Sequence, residues 1–215
     1  MLNSITKPPA NQPFKHTTDP EILGKLLLEI ERLPASTAAS KAFLKILPYL
    51  ACRPSELPEA LWEDMQDDCL VIPAERMKKR RPHLIPLPSQ AIEIIDTLKI
   101  HTKHLGYLFA NPTTGKPITE ESSLRLLQRH SLNGTPLSEY TTLHGFRHTA
   151  STLLHNQGYP TEHIEMQLAH ADKNTIRGTY NHAQYLDQRR EMMQAYADYL
   201  DQLKAQALQK ELSGF

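Results

Sequence analysis

Six polar side chains with complementary chemistry lie along this sequence: Arg53, Lys78, His144, Arg147, His170 and Tyr180. Two arginines can bind the non-bridging oxygens of a phosphodiester and neutralise the charge that its transition state accumulates. A lysine can donate a proton to the leaving oxygen, and histidines can transfer protons or donate hydrogen bonds. A tyrosine hydroxyl is a weak nucleophile that attacks phosphorus only where cationic groups surround the phosphate. Together the six residues would be a complete set for covalent cleavage of a phosphodiester by a tyrosine.

A zinc site is a second chemistry to consider, because His144 and His148 stand four residues apart. This spacing places two imidazoles on one helix face. The zinc-protease helix also needs a glutamate beside the first histidine, and Gly145 occupies that position. No third ligand stands at an obvious spacing. We therefore expect no metal site and interpret His148 as a structural or supporting histidine, with a zinc enzyme as an alternative.

Other catalytic and targeting motifs are missing from the sequence. It contains no Gly-x-Ser-x-Gly elbow, no P-loop and no dinucleotide-binding glycine pattern. Cys52 follows an apolar helical pattern that favours a buried thiol, and Cys52 and Cys69 show neither metal nor disulfide spacing. No apolar run reaches the roughly 18 residues of a membrane span, and the N-terminus lacks a signal-peptide core. These features predict a soluble cytoplasmic protein.

The overall charge is neutral, with 24 basic and 24 acidic side chains, whereas DNA-binding modules usually carry a basic excess. Local clustering offsets this objection, because five cations occur within the six residues 76–81. We predict DNA contacts from four of them: Arg76, Lys79, Arg80 and Arg81. A solvated, charged hairpin is the alternative interpretation of this run.

Helical signals begin after residues 1–15, a proline-rich stretch that is typical of a linker or an unstructured arm. An Asp-Pro-Glu sequence at 19–21 supplies an N-cap, a proline at the first helical position and an acid in the first turn. A second apolar helix is predicted from about Ser36, with Pro48 kinking or ending it. A further helix start directly after Arg53 would leave this arginine at a junction.

The region from 61 to 87 has β character. Short strands are predicted at Cys69–Ile72 and 83–87, and a third near 61–65 would complete a small antiparallel sheet. The basic run lies between the second and third of these strands. Lys78 and Lys79 are therefore expected at or near a hairpin turn, from which a long cationic side chain can reach outward.

The rest of the chain shows helical periodicity again, with helices predicted to begin near Ser89, Thr119, His144, Pro160 and Leu186. The fourth of these helices leads into His170, and Tyr180 precedes the long last helix at 186–212. The pattern predicts an α+β fold. It consists of one mostly helical domain over residues 16–215 with a small three-stranded antiparallel sheet.

Three local motifs resemble the tyrosine recombinases, also called the phage integrase family: CRPSEL at 52–57, HGFRHT at 144–149, and LAH at 168–170 followed by YN at 180–181. Two further runs, IPAERMKKRRPH at 72–83 and RREMMQ at 189–194, resemble the P4-type integrases of prophages and genomic islands. The similarity extends over nearly the whole chain, from about Phe14 to Leu203. It implies the family's mostly helical catalytic fold.

The resemblance implies how the phosphate is bound and the leaving group protonated. Arg53 and Arg147 would clamp the scissile phosphate, assisted by His170. Lys78 would be the general acid for the 5′-oxygen, since it precedes the Ile-Pro-Leu run of the last strand by the family's usual distance. Lys79 is the fallback if the register of the hairpin differs by one residue.

The resemblance also implies the covalent step. His144 would assist proton transfer at Tyr180, the nucleophile, which would form a 3′-phosphotyrosyl linkage. Attack by a partner strand's 5′-hydroxyl would reverse the chemistry, so neither a metal nor a cofactor is implied. The implied function is site-specific DNA recombination, the integration or excision of a prophage or mobile element.

Family members of this type carry N-terminal arm-binding and core-binding domains, which we do not find in these 215 residues. The chain is therefore expected to be a catalytic domain preceded by the linker at 1–15. The implied partners are double-stranded DNA at attachment sites and, for the full-length protein, three further copies in a homotetramer. The isolated domain could be monomeric, and the expected location is the bacterial nucleoid. Alternatives are a non-catalytic DNA-binding remnant or accessory factor, and a DNA-relaxing activity like that of type IB topoisomerases.

Overall fold

The computed structural model describes residues 14–34, 38–77, 80–170 and 185–214. Within these ranges the helices are α1 (Pro20–Arg32), α2 (Ala38–Leu50), α3 (Ser89–Thr102), α4 (Glu120–Arg129), α5 (Leu137–Tyr140), α6 (Leu143–Asn156), α7 (Thr161–Gln167) and α8 (Leu186–Ser213). The strands are β1 (Met65–Gln66), β2 (Cys69–Ile72), β3 (His83–Pro86), β4 (Ser131–Leu132) and β5 (Thr135–Pro136). None of the helices in these ranges has the length and apolar character that a membrane crossing requires.

Helix α1 begins where the sequence predicts. The Asp19 carboxylate accepts a hydrogen bond from the Ile22 backbone N–H at 2.9 Å, and Pro20 follows at the first helical position. The apolar face of α1 packs along α8. The two helices come close at Gly24, where an added Cβ would lie 2.4 Å from the Leu203 carbonyl oxygen. This glycine therefore allows the first and last helices to pack together.

Helix α2 leads directly to Arg53. Its predicted start near Ser36 lies outside the described residues, and Pro48 lies within the helix without ending it. Ala51 then adopts a left-handed conformation with φ of 54°, which turns the chain after the helix. The predicted helix after Arg53 is a single 3-10 turn, Pro54–Glu56.

The predicted three-stranded antiparallel sheet is confirmed, in the order β1-β2-β3. Strands β2 and β3 pair with Ile72 opposite His83. The first strand comes later than the predicted 61–65, because Trp62–Asp64 forms a 3-10 turn instead. The side chain of His83 is only 3% exposed. The sheet thus directs a histidine into the interior of the domain.

The later helices form as predicted, with local caps. The Ser122 N–H donates to the Thr119 hydroxyl at 3.3 Å at the start of α4, and the Gly145 N–H donates to the Thr142 hydroxyl at 2.9 Å at the start of α6. Gly158 follows the end of α6 with φ of 81°. The hairpin β4-β5 and helix α5 were not predicted, since elements of two to four residues show no periodicity.

The core lies between α2, α6 and α8, and its fully buried side chains include Phe43, Ile46, Phe146, Leu154, Met192 and Leu200. The predicted α+β class, mostly helical with a small sheet, is confirmed. The turn after α2, the start of α6 and the end of α7 meet at one side of this core. The residues predicted to be functional lie there.

Candidate active site

Arg53 leaves the core at the turn after α2, and its guanidinium is held from two sides. Nη1 donates to Glu56 Oε1 at 2.7 Å, and Nη2 donates to the Ala169 carbonyl at 3.2 Å. The Arg53 side chain is 30% exposed, whereas that of Glu56 is 6% exposed. The buried carboxylate therefore fixes an arginine that remains accessible to an anion.

Arg147 projects from α6 toward the same turn. Its Nη1 donates to the Ala51 carbonyl at 3.1 Å, and its Nη2 donates to the Leu168 carbonyl at 2.5 Å. Burial lowers the pKa of Arg147 to about 10, and the charge of Arg53 acts in the same direction. The guanidinium thus stays protonated at neutral pH. Because Leu168 and Ala169 are adjacent, their carbonyls hold the two arginines side by side.

His170 follows these two carbonyls directly and extends toward solvent. Ala169 has a left-handed φ of 47°, which ends α7. The His170 ring nitrogen Nδ1 lies 2.7 Å from Glu165 Oε2, and the two side chains are 44% and 45% exposed. Its backbone N–H donates to the Glu165 carbonyl at 3.0 Å. The ring is therefore oriented by a carboxylate that is itself at the surface.

His144 lies in the first turn of α6 and is partly buried. Burial lowers the pKa of His144, the positive charges of Arg147 and Arg53 lower it further, and Glu120 opposes them. At neutral pH the imidazole is therefore uncharged. This is the form of the ring that can accept a proton.

Four of the six predicted catalytic residues come together here: Arg53, His144, Arg147 and His170. Burial is the largest cause that lowers the pKa of the neighbouring His148, and Arg147 and the protonated forms of His144 and His170 act in the same direction. Lys78 and Tyr180 lie outside the described residues. The four described side chains can bind an anion and accept a proton at one place.

The predicted DNA-contacting residues differ in their surroundings. Arg76 donates to a backbone carbonyl at 2.6 Å and pairs with the buried carboxylate of Asp64, so its guanidinium is engaged within the fold. Arg80 is exposed and Arg81 is partly exposed. Lys79 lies outside the described residues. Arg80 and Arg81 are thus the described members of the run that face solvent.

A buried polar network supports Arg53, and sequence reasoning assigned it no role. Glu56 Oε2 lies 2.9 Å from His83 Nδ1, and His83 Nε2 lies 3.1 Å from the Gln167 carbonyl oxygen. Burial acts to raise the pKa of Glu56, but hydrogen bonds from His83 and Arg53 outweigh it and leave that pKa below its usual value. Burial lowers the pKa of His83, against the opposing effect of Glu56. The neutral ring that burial favours can donate to one of these two acceptors, and only the protonated ring can donate to both.

Gln167 connects this network to α8. Its Nε2 donates to the Leu50 carbonyl at 2.9 Å, and its Oε1 accepts from Arg189 Nε at 3.1 Å and Nη2 at 2.9 Å. Arg189 Nη2 also donates to the Leu84 carbonyl at 2.5 Å, and burial lowers the pKa of this arginine to about 10. A charged residue on the apolar face of a helix is the signal that could have revealed Arg189.

The histidine pair that suggested zinc has aromatic neighbours. Among the described residues, no three His, Cys, Asp or Glu side chains are grouped as a metal site would need. The His144 ring stacks on Phe14, with centroids 4.7 Å apart. The His148 ring lies 5.6 Å from the ring of His16. Both imidazoles therefore pack against the residues that precede α1.

Comparison with known proteins relates the chain to integrases. The model for the Phage integrase family matches residues 18–187. Prophage integrase IntS of Escherichia coli (strain K12) and the integrase of Shigella phage Sf6 are each 38% identical over 188 residues, covering 81% of this chain and 48% of the relative. The integrase of Enterobacteria phage P4 is 31% identical over 198 residues, covering 85% of this chain and 44% of the relative. The chain spans about half the length of the curated relatives it matches.

Solved recombinase structures share the fold. XerH site-specific recombinase bound to difH substrate aligns with a TM-score of 0.61 at 23% identity, covering 85% of this chain and 55% of that one. A lambda integrase tetramer bound to a Holliday junction aligns with a TM-score of 0.54 at 18% identity, covering 79% and 51%. Since the family match extends over most of the sequence, the chain belongs to the phage integrase family of tyrosine recombinases, in the group of P4-type prophage integrases.

Proposed function

We propose that this chain is the catalytic domain of a site-specific recombinase that integrates or excises a prophage or other mobile element. The observation that carries the proposal is the placement of Arg53 and Arg147 on adjacent carbonyls, with His144 and His170 beside them. Fixed guanidiniums suit the non-bridging oxygens of a phosphodiester and the charge that develops on them. Membership of the phage integrase family supports the same reading.

In this proposal the first step cleaves one DNA strand. The hydroxyl oxygen of Tyr180 attacks the scissile phosphorus, and the bond from phosphorus to the 5′-oxygen breaks as the tyrosine–phosphorus bond forms. His144 takes the tyrosine proton, and its lowered pKa keeps the ring in the neutral form that can accept one. Lys78 gives a proton to the departing 5′-oxygen. Arg53 and Arg147 stabilise the negative charge on the phosphate oxygens throughout.

The second step rejoins strands. A 5′-hydroxyl of a partner strand attacks the phosphotyrosyl phosphorus and gives its proton back to Lys78. The tyrosine–phosphorus bond breaks, and Tyr180 takes its proton back from His144. His170 donates a hydrogen bond to the phosphate in both steps. One phosphodiester is replaced by another, so the bond energy is conserved in the covalent intermediate and no external energy source is consumed.

The proposed partner is double-stranded DNA at attachment sites, contacted by Arg80, Arg81, Lys79 and, where its pairing with Asp64 permits, Arg76. Residues 16–215 would form the catalytic domain and 1–15 a linker from arm-binding and core-binding domains. The lambda integrase neighbour is a tetramer on a Holliday junction, which supports a homotetramer for the full-length protein on DNA. For the isolated domain we propose a monomer. Because the substrate would be chromosomal, we place the protein at the bacterial nucleoid.

The covalent intermediate provides the test. The protein is incubated with a pool of nicked duplexes that carry a randomised core, in which cleavage releases a short strand and traps the adduct. Denaturing electrophoresis should show a protein–DNA band, and sequencing of the trapped DNA would identify the site. Tyr180→Phe should abolish the band, because phenylalanine has no hydroxyl to attack phosphorus.

Tyr185→Phe is the matched control, since this nearby tyrosine packs against His163, with ring centroids 4.6 Å apart, and has no proposed role. It should leave the adduct intact. An adduct that survives Tyr180→Phe would show that another group is the nucleophile. A wild-type protein that forms no adduct with any duplex of the pool would contradict the proposed activity of this domain.

A further inference from the structure

Residues 14–17, here called the pre-helix segment, lie across the start of α6 rather than leading directly into α1. The Lys15 carbonyl accepts a hydrogen bond from the Thr142 N–H at 3.0 Å, and the Thr17 carbonyl accepts one from the Thr149 hydroxyl at 2.8 Å. Lys15 Nζ also lies 2.5 Å from the Glu139 carboxylate. The pre-helix segment is therefore fixed at two backbone points on either side of His144.

Gly145 makes room for this segment. A Cβ at position 145 would lie 2.1 Å from the Lys15 carbonyl oxygen and 2.6 Å from the Thr141 hydroxyl, closer than side chains approach in folded proteins. Glycine is otherwise unfavourable within a helix. The close approach of the Lys15 backbone therefore explains the glycine at position 145, since any other residue would push that backbone away.

Phe14 covers one face of the His144 ring. The two rings are stacked, with centroids 4.7 Å apart and planes 15° apart. Phe14 also approaches His148, with centroids 5.7 Å apart, and is itself 47% exposed. A stacked aromatic limits the rotation of the imidazole and excludes water from one of its faces. The charged groups that also act on His144 are Glu120 from α4, Arg147 from α6, and Arg53 from the turn after α2.

We propose that Phe14 is a positioning residue for His144, so that the pre-helix segment is part of the active site. The ring of Phe14 holds the imidazole in the orientation in which it takes the proton of the nucleophile. The role of His144 as proton acceptor rests on the proposed function, whereas the contact itself does not.

The first measurement is the titration of the His144 ring, followed by NMR in protein labelled with ¹⁵N-histidine and assigned with His144→Gln. Phe14→Ala exposes the ring, so the pKa of His144 should rise toward its ordinary value, because burial is the main cause that lowers it. Phe14→Tyr keeps an aromatic ring and should preserve the wild-type titration. Ile100→Ala, which truncates an apolar side chain that is 82% exposed on α3, should change nothing.

The second measurement is the pH profile of adduct formation on the nicked duplex. A raised pKa leaves less neutral His144 at low pH, so the acidic limb for Phe14→Ala should move to higher pH. We expect cleavage to be up to about fourfold slower near pH 6, because an imidazole with the ordinary pKa of about 6.5 is only about one-quarter neutral there, and a smaller loss near pH 8. Phe14→Tyr should restore the wild-type profile.

Gly145→Ala tests the same contact from the other side. It should displace the pre-helix segment and raise the pKa of His144 although Phe14 is present. The thermal unfolding midpoint of each variant shows whether it remains folded. If Gly145→Ala does not fold, Phe14→Ala alone tests whether Phe14 positions His144.

The outcomes separate this inference from the proposed function. An unchanged titration and an unchanged pH profile in Phe14→Ala would overturn the inference while adduct formation stands. Equal losses in Phe14→Ala and Phe14→Tyr would overturn it as well, since stacking would then not be the cause. If the wild-type protein forms no adduct, the proposed function and the catalytic role of the contact are both contradicted. This holds even if the titration shows that Phe14 lowers the pKa of His144.

Discussion

The arginines and the histidines of the site are held in different ways. Arg53 and Arg147 bond to the carbonyls of residues 51, 168 and 169 and to the buried Glu56 carboxylate. The two histidines instead contact side chains at the surface, Phe14 and Glu165. Carbonyls of a packed core move only with the core, whereas exposed side chains change rotamer at little cost. In the proposed function, phosphate binding would therefore depend on groups that the fold holds in place, while the proton-transfer geometry would depend on contacts at its surface.

Removing an arginine should have the largest effect. Arg147→Ala deletes a proposed phosphate ligand and leaves the Ala51 and Leu168 carbonyls without their donor. We expect cleavage to slow by about 10³-fold, as for loss of a transition-state donor, and the free energy of unfolding to fall by about 2 kcal/mol. Single-turnover adduct formation and urea denaturation measure the two effects.

Arg190→Ala is the matched control for this arginine. Its guanidinium pairs with Asp68 and Asp187 at the surface of α8, where ion pairs contribute little. Cleavage should stay within about twofold of wild type, as is usual for surface substitutions. An effect as large as that of Arg147→Ala would show that arginines contribute here through net charge and not through position.

Glu56→Gln weakens the support of Arg53 without touching the phosphate. It removes the charge opposite Arg53 and His83, so we expect cleavage to slow by about 30-fold and the protein to lose about 2–3 kcal/mol of stability, somewhat less than for breaking a buried pair outright. Because the pKa of folded Glu56 lies below 4.5, its stabilising charge is fully present above pH 4.5 and is lost as the pH falls through the folded value. The stability gap between wild type and Glu56→Gln should therefore shrink below pH 4.5 in urea titrations. A gap that is independent of pH would argue against an ionised Glu56.

Gln167→Leu tests how far the rigid region extends. Leucine leaves the Leu50 carbonyl and the Arg189 guanidinium without their buried partner, which should cost about 1–3 kcal/mol. Cleavage should slow by roughly tenfold, a loss similar to that of other supporting groups. Chemical denaturation measures the loss of stability, and adduct formation measures the rate of cleavage. Gln194→Leu, in an exposed network on α8, should stay within about 0.5 kcal/mol of wild type.

Glu165→Gln should have the smallest effect. The carboxylate orients His170 from the surface, so its loss should slow cleavage only about threefold, in line with exposed ion pairs, and the difference should diminish at high salt. Adduct formation at two salt concentrations measures it. If Glu165→Gln slowed cleavage as much as Glu56→Gln, the proposed difference between arginines and histidines would be wrong, because His170 would then be held as firmly as the arginines.

The sequence pointed to the candidate site residues but not to the groups that hold them. Arg53, His144, Arg147 and His170 stood in recognisable motifs, and the described structure brings all four together. Glu56 and Gln167 stood within or beside the same motifs and were passed over, since nothing in a local pattern shows which distant group a side chain bonds. The assignments of Lys78 and Tyr180 remain predictions.

The proline-rich stretch at residues 1–15 shows a second limit of prediction from sequence. Its composition predicts a linker through residue 15, and Phe14 and Lys15 nevertheless make specific contacts with α6. Composition reports the average character of a stretch. It does not report that one aromatic side chain finds a histidine about 130 residues away in sequence, because chain entropy and packing decide such contacts.

The sequence by itself determined the secondary-structure elements and predicted the candidate site residues. Helix caps at Asp19 and Thr119, the strands around the basic run and the long last helix all follow from neighbours within a few residues. Only the tertiary structure decided that adjacent carbonyls at 168 and 169 hold arginines from two distant segments, and that a buried glutamate and histidine stand behind one of them. The physical reason is that buried backbone and side-chain groups must find partners wherever the packed core places them.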